Sequence, residues 1–480
     1  MAKTTYNVDI CIIGAGSAGL SMASGAAQLG RSVVLFEAGE MGGDCLNAGC
    51  VPSKAFLKAG KLAQARREGA NMGLTPVEPE IDFEAVKAHV KDVIATIAPV
   101  DSQERFEGLG CTVIREFGRF KDANTVESDT TEVKAKRFVI CTGSRASAPP
   151  VPGLSDVDYL TNEEIFDVPE LPEHLLVIGA GPIGLELGQT FRRFGSKVSI
   201  IDIAPPLSRN EPEHAQVLVD ALAAEGIEFH TPASTKMIRK AGKSVEIEFE
   251  DGTVLKGSHL LMAAGRGPIV EGLGLDKAGV KYDRRGIDTD DFLRTSNKKV
   301  YAAGDVAKGM GGLTHAAGHH AGKLITNFYI APPIINKFLS KAVTNRMPAV
   351  VYTEPEIASI GLSEAAAREK YGDNVRVVHW EFEENDRAIA ERHTAGGVKI
   401  VATKKGVILG GSIVGDYAGE IIHMLSVAMT NKVKISGLAQ IISPYPTRSE
   451  AVKRAAGSWY TDTIFSPRTR KLAGIWTKFH

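Results

Sequence analysis

The chain has 480 residues, 44% of them apolar and 24% charged, and a formal net charge of −1. That length exceeds one hydrophobic core and predicts about three or four domains of ordinary soluble type. Neutral balance without a polybasic run argues against nucleic acid or an anionic membrane as partner, and five cysteines are too sparse and odd in number for a secreted disulfide scaffold.

The opening MAKTTYNVDICIIG has no signal-peptide core and no apolar run reaches transmembrane length, so the expected location is cytoplasmic. Residues 8–37 read as strand, glycine turn, helix and strand. The strand VDICII leads into Gly14, Gly16 and Gly19, the helix runs from about Ser17 to Leu29, and SVVLFE closes the unit on Glu37. First and second glycines permit a tight turn and close approach of a pyrophosphate, the helix N-terminus faces phosphates, and the acid accepts from a ribose hydroxyl.

Immediately downstream stands GGDCLNAGCVPSK. Gly42, Gly43 and Gly49 let the backbone approach a ligand closely. Cys45 and Cys50 can close to a disulfide and open to two thiols, passing two electrons. Pro52 suits the first turn of a helix that Cys50 would start, where partial positive charge stabilises a thiolate, and Lys54 lies one turn on along the same face. Two buried structural cysteines are the plainer reading; the nucleotide fingerprints favour a redox pair beside a flavin. Cys11, Cys111 and Cys141 read as small buried hydrophobes.

The strand RFVICTGS ends in Thr142, Gly143 and Ser144, candidates for the same dinucleotide site. Pro149-Pro150-Val151-Pro152-Gly153 marks a linker. Residues 175–202 then repeat the first plan, with Gly179, Gly181, Gly184 and Asp202, and the interval from first glycine to acid is 23 residues in both copies. A lone GxGxxG is weak, but two copies, each between strand and helix, point to two doubly wound nucleotide domains. A carboxylate at Asp202 repels a 2′-phosphate and Ile203-Ala204-Pro205-Pro206 supplies no arginine to hold one, so the second site reads as NAD; Arg209 is a weak counter-argument. The first copy, which precedes the cysteines, should hold FAD.

Gly265 in AAGR is a further candidate contact of the second nucleotide. In VYAAGDV, Asp305 fits either an acid that accepts from a ribityl chain or a turn aspartate. His315, in LeuThrHisAlaAla, fits a flavin-site residue or a structural one at a helix start.

These residues, together with VYTEPEIASIGLSE, resemble the FAD-dependent pyridine nucleotide–disulfide oxidoreductases, a family that includes dihydrolipoamide dehydrogenase, glutathione reductase and mercuric reductase. The resemblance runs from residue 8 to about residue 455. It implies an α/β fold with two Rossmann-type domains and a C-terminal α+β interface domain: residues 1–150 for FAD, 151–275 for NAD, 276–345 a central domain completing the FAD site, and 346–480 for dimerisation. It further implies a homodimer whose active sites are shared between subunits. By the same resemblance Cys45 meets a thiol or disulfide substrate, Cys50 is the thiolate against the flavin, and Lys54 pairs with Glu186 of the IGLELG run.

The thiol-handling members carry His-Pro-Thr…Glu near the C-terminus, and this chain has Tyr445-Pro446-Thr447-Arg448-Ser449-Glu450. Imidazole titrates near about 6.5 and a phenol near about 10, so Tyr445 is a poor base at neutral pH even with Glu450 retained. His393 and His423 are the sequence candidates for a relocated base. Mercuric reductases also have tyrosine at this place but add a C-terminal cysteine pair, whereas no cysteine follows Cys141 here. The reading is thus a dihydrolipoamide dehydrogenase-like enzyme; a mercuric-ion or quinone-type reductase and a redox-sensing flavoprotein of weak turnover are the alternatives.

Overall fold

A computed structural model describes residues 3–310, 312–331, 341–342 and 345–477. The chain forms two compact units, Met1–Ile203 with Ile227–Thr344, and Ala204–Gly226 with Asn345–His480.

In the first unit the repeat seen in sequence becomes a repeat of topology. β1 (Thr4–Ile13) feeds α1 (Ser17–Gln28) and returns as β2 (Val33–Phe36), parallel to β1 with Ile10 opposite Val33 and Ile13 opposite Phe36. Next come α2 (Gly43–Asn47), α3 (Cys50–Arg67) and α4 (Phe83–Asp101). β3 (Cys111–Ile114) extends the sheet beside β2, and β4 (Thr131–Ile140) pairs with the far edge of β1. The second copy has β5 (His174–Ile178), α5 (Pro182–Phe194), β6 (Lys197–Ile201), β7 (Glu228–His230) and β8 (His259–Met262). Its strands lie in the order β7-β6-β5-β8, all parallel, matching β3-β2-β1-β4. β1, β2, β5 and β6 each carry four buried residues in a row, as expected of strands covered on both faces.

β9 (Val300–Ala302) joins β4 as another parallel strand and delivers the turn Gly304–Val306. α7 (Thr314–Ile325) follows and packs its buried Ala316, Ala317, Ala321 and Leu324 against α1. Helices α3 and α5 are pinned by aromatics. Phe56 is fully buried, with its ring 5.1 Å from Phe191 and 5.0 Å from Phe194. A Cβ on Gly60 would come within 3.0 Å of Thr190, so the two helices cross closely there.

The second unit is an antiparallel sheet of five strands, β10 (Pro348–Val351), β11 (Glu356–Gly361), β12 (Val375–Glu381), β13 (Gly397–Thr403) and β14 (Ile408–Gly415), in the order β10-β11-β14-β13-β12. Helices Ala418–Thr430 and α8 (Glu450–Ser458) complete its core with Ile421, Ile422, Leu425, Val452 and Ala455. α6 (Pro212–Ala224) belongs to this unit although its sequence lies between β6 and β7. Lys399 on β13 is buried and bonds Glu211 at 2.9 Å, Glu213 at 2.5 Å and Glu364 at 2.7 Å, while His214 Nδ1 meets Ser412 Oγ at 2.8 Å. Those partners hold the helix in place.

Candidate functional site

The two glycine turns show which glycines the protein itself needs. A Cβ on Gly14 would stand 2.5 Å from the Cys141 carbonyl, and one on Gly19 would stand 1.8 Å from the Gly14 carbonyl. Gly179 and Gly184 repeat this, at 2.3 Å from Ala263 O and 2.0 Å from Gly179 O. The middle glycines differ: a Cβ on Gly16 meets nothing nearer than Gly43 Cα at 4.0 Å, and one on Gly181 meets nothing within 4 Å. The fold alone leaves room at both middle positions. The space kept there sits at the start of α1 and α5, whose caps, Gly16 and Gly181, bring no side chain to the first-turn N–H groups. That is the cradle a pyrophosphate requires.

The acids close the two cradles alike. Glu37 Oε2 accepts the Ala15 N–H at 2.6 Å and Asp202 Oδ2 accepts the Ala180 N–H at 2.8 Å. Glu37 also accepts from Gly39 N through its other oxygen, and a carboxylate has lone pairs left for ribose hydroxyls. The glycines and acids present therefore fit two dinucleotides, with room left at Gly16 and Gly181 among the described residues.

Around the first cradle the structure gathers most of the expected residues. Gly43 has φ +61° and lies so close to Gly16 that a Cβ on it would be 2.8 Å from Gly16 Cα. Thr142 spends its hydroxyl proton on Ile269 O at 2.7 Å, and Gly143, at φ +69°, faces open space. Asp305 accepts from Ser144 Oγ at 2.6 Å. The Gly304 N–H is held by Nδ1 of the fully buried His320 at 3.1 Å, and burial drives that histidine down to about 4, so it is a neutral acceptor at physiological pH. His315 is exposed on α7. Gly265, at φ +133°, has nothing within 4 Å of its would-be Cβ and its carbonyl accepts from Ser147 N.

The cysteines lie at the heart of this assembly. Cys45 rides on α2, and Cys50 opens α3 behind Gly49, whose missing Cβ would strike Asp44 at 2.8 Å. The tight fold-back brings the two sulfurs within hydrogen-bonding reach in the dithiol form. The Cys45 thiol donates to Cys50, and this is the largest reason that Cys50 is lowered to about 6; Thr314 and the charge of Lys54 add to it against burial. Cys45 moves the other way, raised chiefly by the Cys50 sulfur it bonds and then by burial. At neutral pH the pair is a Cys50 thiolate and a Cys45 thiol.

Lys54 Nζ lies 2.8 Å from Glu186 Oε2 on α5, with Glu186 buried and Lys54 39% exposed. The aromatic lock between α3 and α5 places them together. Thr314 Oγ1, 3.3 Å from Cys50 Sγ, was missed by sequence reasoning, although it precedes the histidine that was considered. Arg266 was missed as well. It bonds Ser144 Oγ at 2.9 Å and Asp44 at 3.2 Å, and Asn162 donates to Asp44 at 2.9 Å, so one network ties the α2 segment to the Asp305 turn.

Tyr445 and Glu450 lie in the second unit. Tyr445 is exposed, and its hydroxyl donates to Asp386 Oδ2 at 2.9 Å; that bond and the carboxylate's charge hold the phenol above the usual tyrosine range. Glu450 pairs instead with Arg454 at 2.8 Å on its own helix. The loop is clamped at three further points: Asn385 Nδ2 donates to Thr447 O, and Arg448 bonds Glu391 at 3.0 Å and the His393 carbonyl at 2.9 Å. His393 itself pairs with Asp416 at 2.7 Å, and His423 is exposed on the helix Ala418–Thr430.

Comparison with known proteins agrees with this geometry. Residues 8–321 match the model described as "Pyridine nucleotide-disulphide oxidoreductase", and residues 347–456 match that family's dimerisation domain. The mercuric reductase of Bacillus cereus is 34% identical over 94% of this chain and 71% of its own length. The dihydrolipoyl dehydrogenase of Thermus scotoductus is 34% identical over 95% of this chain and 98% of its own. Among solved structures, LpdA from Mycobacterium tuberculosis superposes with a TM-score of 0.84 at 26% identity, covering 95% of this chain and 99% of that one. The HOCl-induced flavoprotein disulfide reductase RclA from Escherichia coli, solved as a Cu(II) complex, gives 0.81 at 25% identity, covering 93% and 99%.

Proposed function

The chain belongs to the pyridine nucleotide–disulphide oxidoreductases, flavoenzymes that use FAD and NAD(P)H, and from that premise we propose that it exchanges electrons between NADH and a small disulfide or dithiol of the lipoyl kind. One observation carries the proposal: the turn from α2 to α3 sets Cys45 beside Cys50 at a helix N-terminus, with Thr314 Oγ1 3.3 Å from Cys50 Sγ and Lys54 one turn on.

FAD, when bound, relays two electrons between the nicotinamide and the cysteine pair. The chain's own residues do the rest. Gly14, Gly16, Gly19, Glu37, Gly43, Thr142, Gly143 and Asp305 would hold the FAD, and Gly179, Gly181, Gly184, Asp202 and Gly265 the nicotinamide nucleotide. Asp202, with no cation in the four residues after it, supports NADH over NADPH.

In the dithiol state the proton is held by Cys45, whose thiol is raised by the neighbouring Cys50 sulfur and by burial. Its transfer leaves Cys45 as thiolate and Cys50 as thiol. Cys45 then attacks one sulfur of the substrate disulfide; a mixed disulfide forms and the other substrate sulfur leaves as a thiolate and takes up a proton. Cys50, deprotonated again beside Lys54, attacks Cys45 Sγ. The second substrate thiol departs and the Cys45–Cys50 disulfide remains, so the substrate gains two electrons and the cysteine pair loses them. Run backwards, the same steps oxidise a dithiol. Lys54 and Glu186 fix the charge near the Cys50 end of the pair.

We place Tyr445 in this scheme as a hydrogen-bonding group from a second copy of the chain in a homodimer, the dimerisation domain supporting that assembly. The four-domain division and a cytosolic location complete the reading; five cysteines, sparse and odd in number, suit a reducing compartment.

A substrate panel tests the proposal: lipoamide, oxidised glutathione and Hg²⁺ with NADH, and dihydrolipoamide with NAD⁺. Turnover of lipoamide or dihydrolipoamide that vanishes in Cys45→Ser supports it. Turnover confined to Hg²⁺, or none despite a reducible centre, rejects it.

A further inference from the structure

α8 packs Ala451, Val452, Ala455 and Ala456 into the core of the second unit. Beyond residue 456, where the dimerisation match ends, the chain continues into α9 (Thr461–Ile464) and α10 (Pro467–Trp476), and neither helix buries a residue. Leu472, Ile475 and Trp476 are spaced three and four apart, so they share one face of α10. They are 49%, 44% and 66% exposed, and Ile464 and Phe465 just before them are exposed as well. After Asp462 the sequence carries Arg468, Arg470, Lys471 and Lys478 and not one acidic residue, in a chain whose net charge is −1. These cations are interleaved with apolar residues, which is why composition does not reveal them as a basic patch.

A helix that mixes an exposed apolar face with cations, and has no acid after Asp462, suits a partner that is anionic and apolar at once. Nucleic acid or an acidic peptide would satisfy the arginines and leave Leu472 and Ile475 in water. A bilayer interface takes both: aliphatic side chains enter the acyl boundary, tryptophan sits at headgroup level, and Arg and Lys reach lipid phosphates. The helix is ready-made for this, with Pro467 in its first turn and Ser466 capping Thr469 N. No helix among the described residues is long and apolar enough to cross a membrane, so α10 can only lie flat.

We propose that α9 and α10 form a surface anchor that lays the enzyme on an anionic phospholipid bilayer through the apolar face of Leu472, Ile475 and Trp476, with Lys471 at the edge of that face, Arg470 behind it, and Arg468, one turn before Leu472, reaching from the helix start to a headgroup. The anchor is independent of which disulfide the active site reduces.

The test mixes the FAD-loaded protein with vesicles of phosphatidylcholine, with or without phosphatidylglycerol, and reads the bound fraction by flotation. Binding should require phosphatidylglycerol, fall with added salt, and weaken at least about a hundredfold in the triple variant R468E/R470E/K471E. Trp476→Ala should weaken it with the charge unchanged. Both variants should keep their bound flavin and their turnover of soluble substrate. Equal flotation with neutral vesicles, undiminished binding of the triple variant, or no binding at all overturns the proposal. So does a chain ended at residue 460 that elutes as a monomer where the full chain is a dimer, since the face would then belong to a second copy.

Discussion

The Tyr445 phenol donates to Asp386 at 2.9 Å, while Glu450, which the family's histidine would use, is engaged by Arg454 at 2.8 Å. Replacing the tyrosine alone therefore supplies an imidazole without its orienting carboxylate. We expect Tyr445→His to raise dihydrolipoamide oxidation only modestly, by a few-fold. Tyr445→His with Arg454→Ala, which frees Glu450, should gain roughly ten- to a hundredfold, part of what a positioned acid–base contributes. Steady-state rates with dihydrolipoamide and NAD⁺ decide it. If the double variant is no faster than the single one, the Glu450–Arg454 pair is not what limits the imidazole.

Cys50 titrates at about 6 because Cys45 donates a hydrogen bond to it. The thiolate is the deprotonated form, so its fraction grows as pH rises through about 6 and is nearly complete at pH 8. Absorbance of the dithiol enzyme near 240 nm, followed from pH 4 to 9, should report this. In Cys45→Ala the largest stabiliser of the thiolate is gone and the midpoint should move up by a unit or more; an unmoved midpoint would show that Lys54 and Thr314 suffice.

Lys54 and Glu186 share one ion pair but not one environment. Lys54→Met leaves a buried carboxylate facing an apolar side chain, whereas Glu186→Gln leaves a lysine that is 39% exposed and can turn to water. Thermal or urea unfolding should show Lys54→Met to be the costlier change, by about 3 kcal/mol against about 1 kcal/mol. Equal losses would mean that other contacts of Glu186 dominate.

Asp202 receives the Ala180 N–H as Glu37 receives that of Ala15, and our proposal reads this acid as one that disfavours a 2′-phosphate. The native enzyme should prefer NADH to NADPH in kcat/KM, and Asp202→Ser with Ile203→Arg should reverse that order. A native preference for NADPH would end the assignment.

What could be read from sequence shares one property: it is local. The two fingerprints each fit within about thirty residues, and Cys45 and Cys50 fall in the single short stretch GGDCLNAGC. Thr314 reaches Cys50 from 264 positions away, and Arg266 reaches Asp44 from a similarly remote strand. Such contacts are decided by how the sheets bring β4, β8 and α7 to one place, and no periodicity announces them. Asp386 is a similar case. It lies in an acidic stretch that looks solvated, and only the clamped loop around Arg448 turns it toward Tyr445. His320 was passed over for its neighbour His315 because an α-helix, read without its packing, does not say which of two nearby histidines faces inward.

Lys399 depends on residues from both ends of a long excursion. Glu211 and Glu213 are made nearly two hundred positions before it, and Glu364 follows in between. During synthesis the helix Pro212–Ala224 must emerge and wait, its docking strand β13 still unmade, until the C-terminal half has left the ribosome. A fragment cut at residue 345 and expressed alone would fold around a buried ammonium that keeps just one of its three carboxylates, so the smallest self-sufficient version of that half has to be rebuilt with residues 204–226 grafted back on.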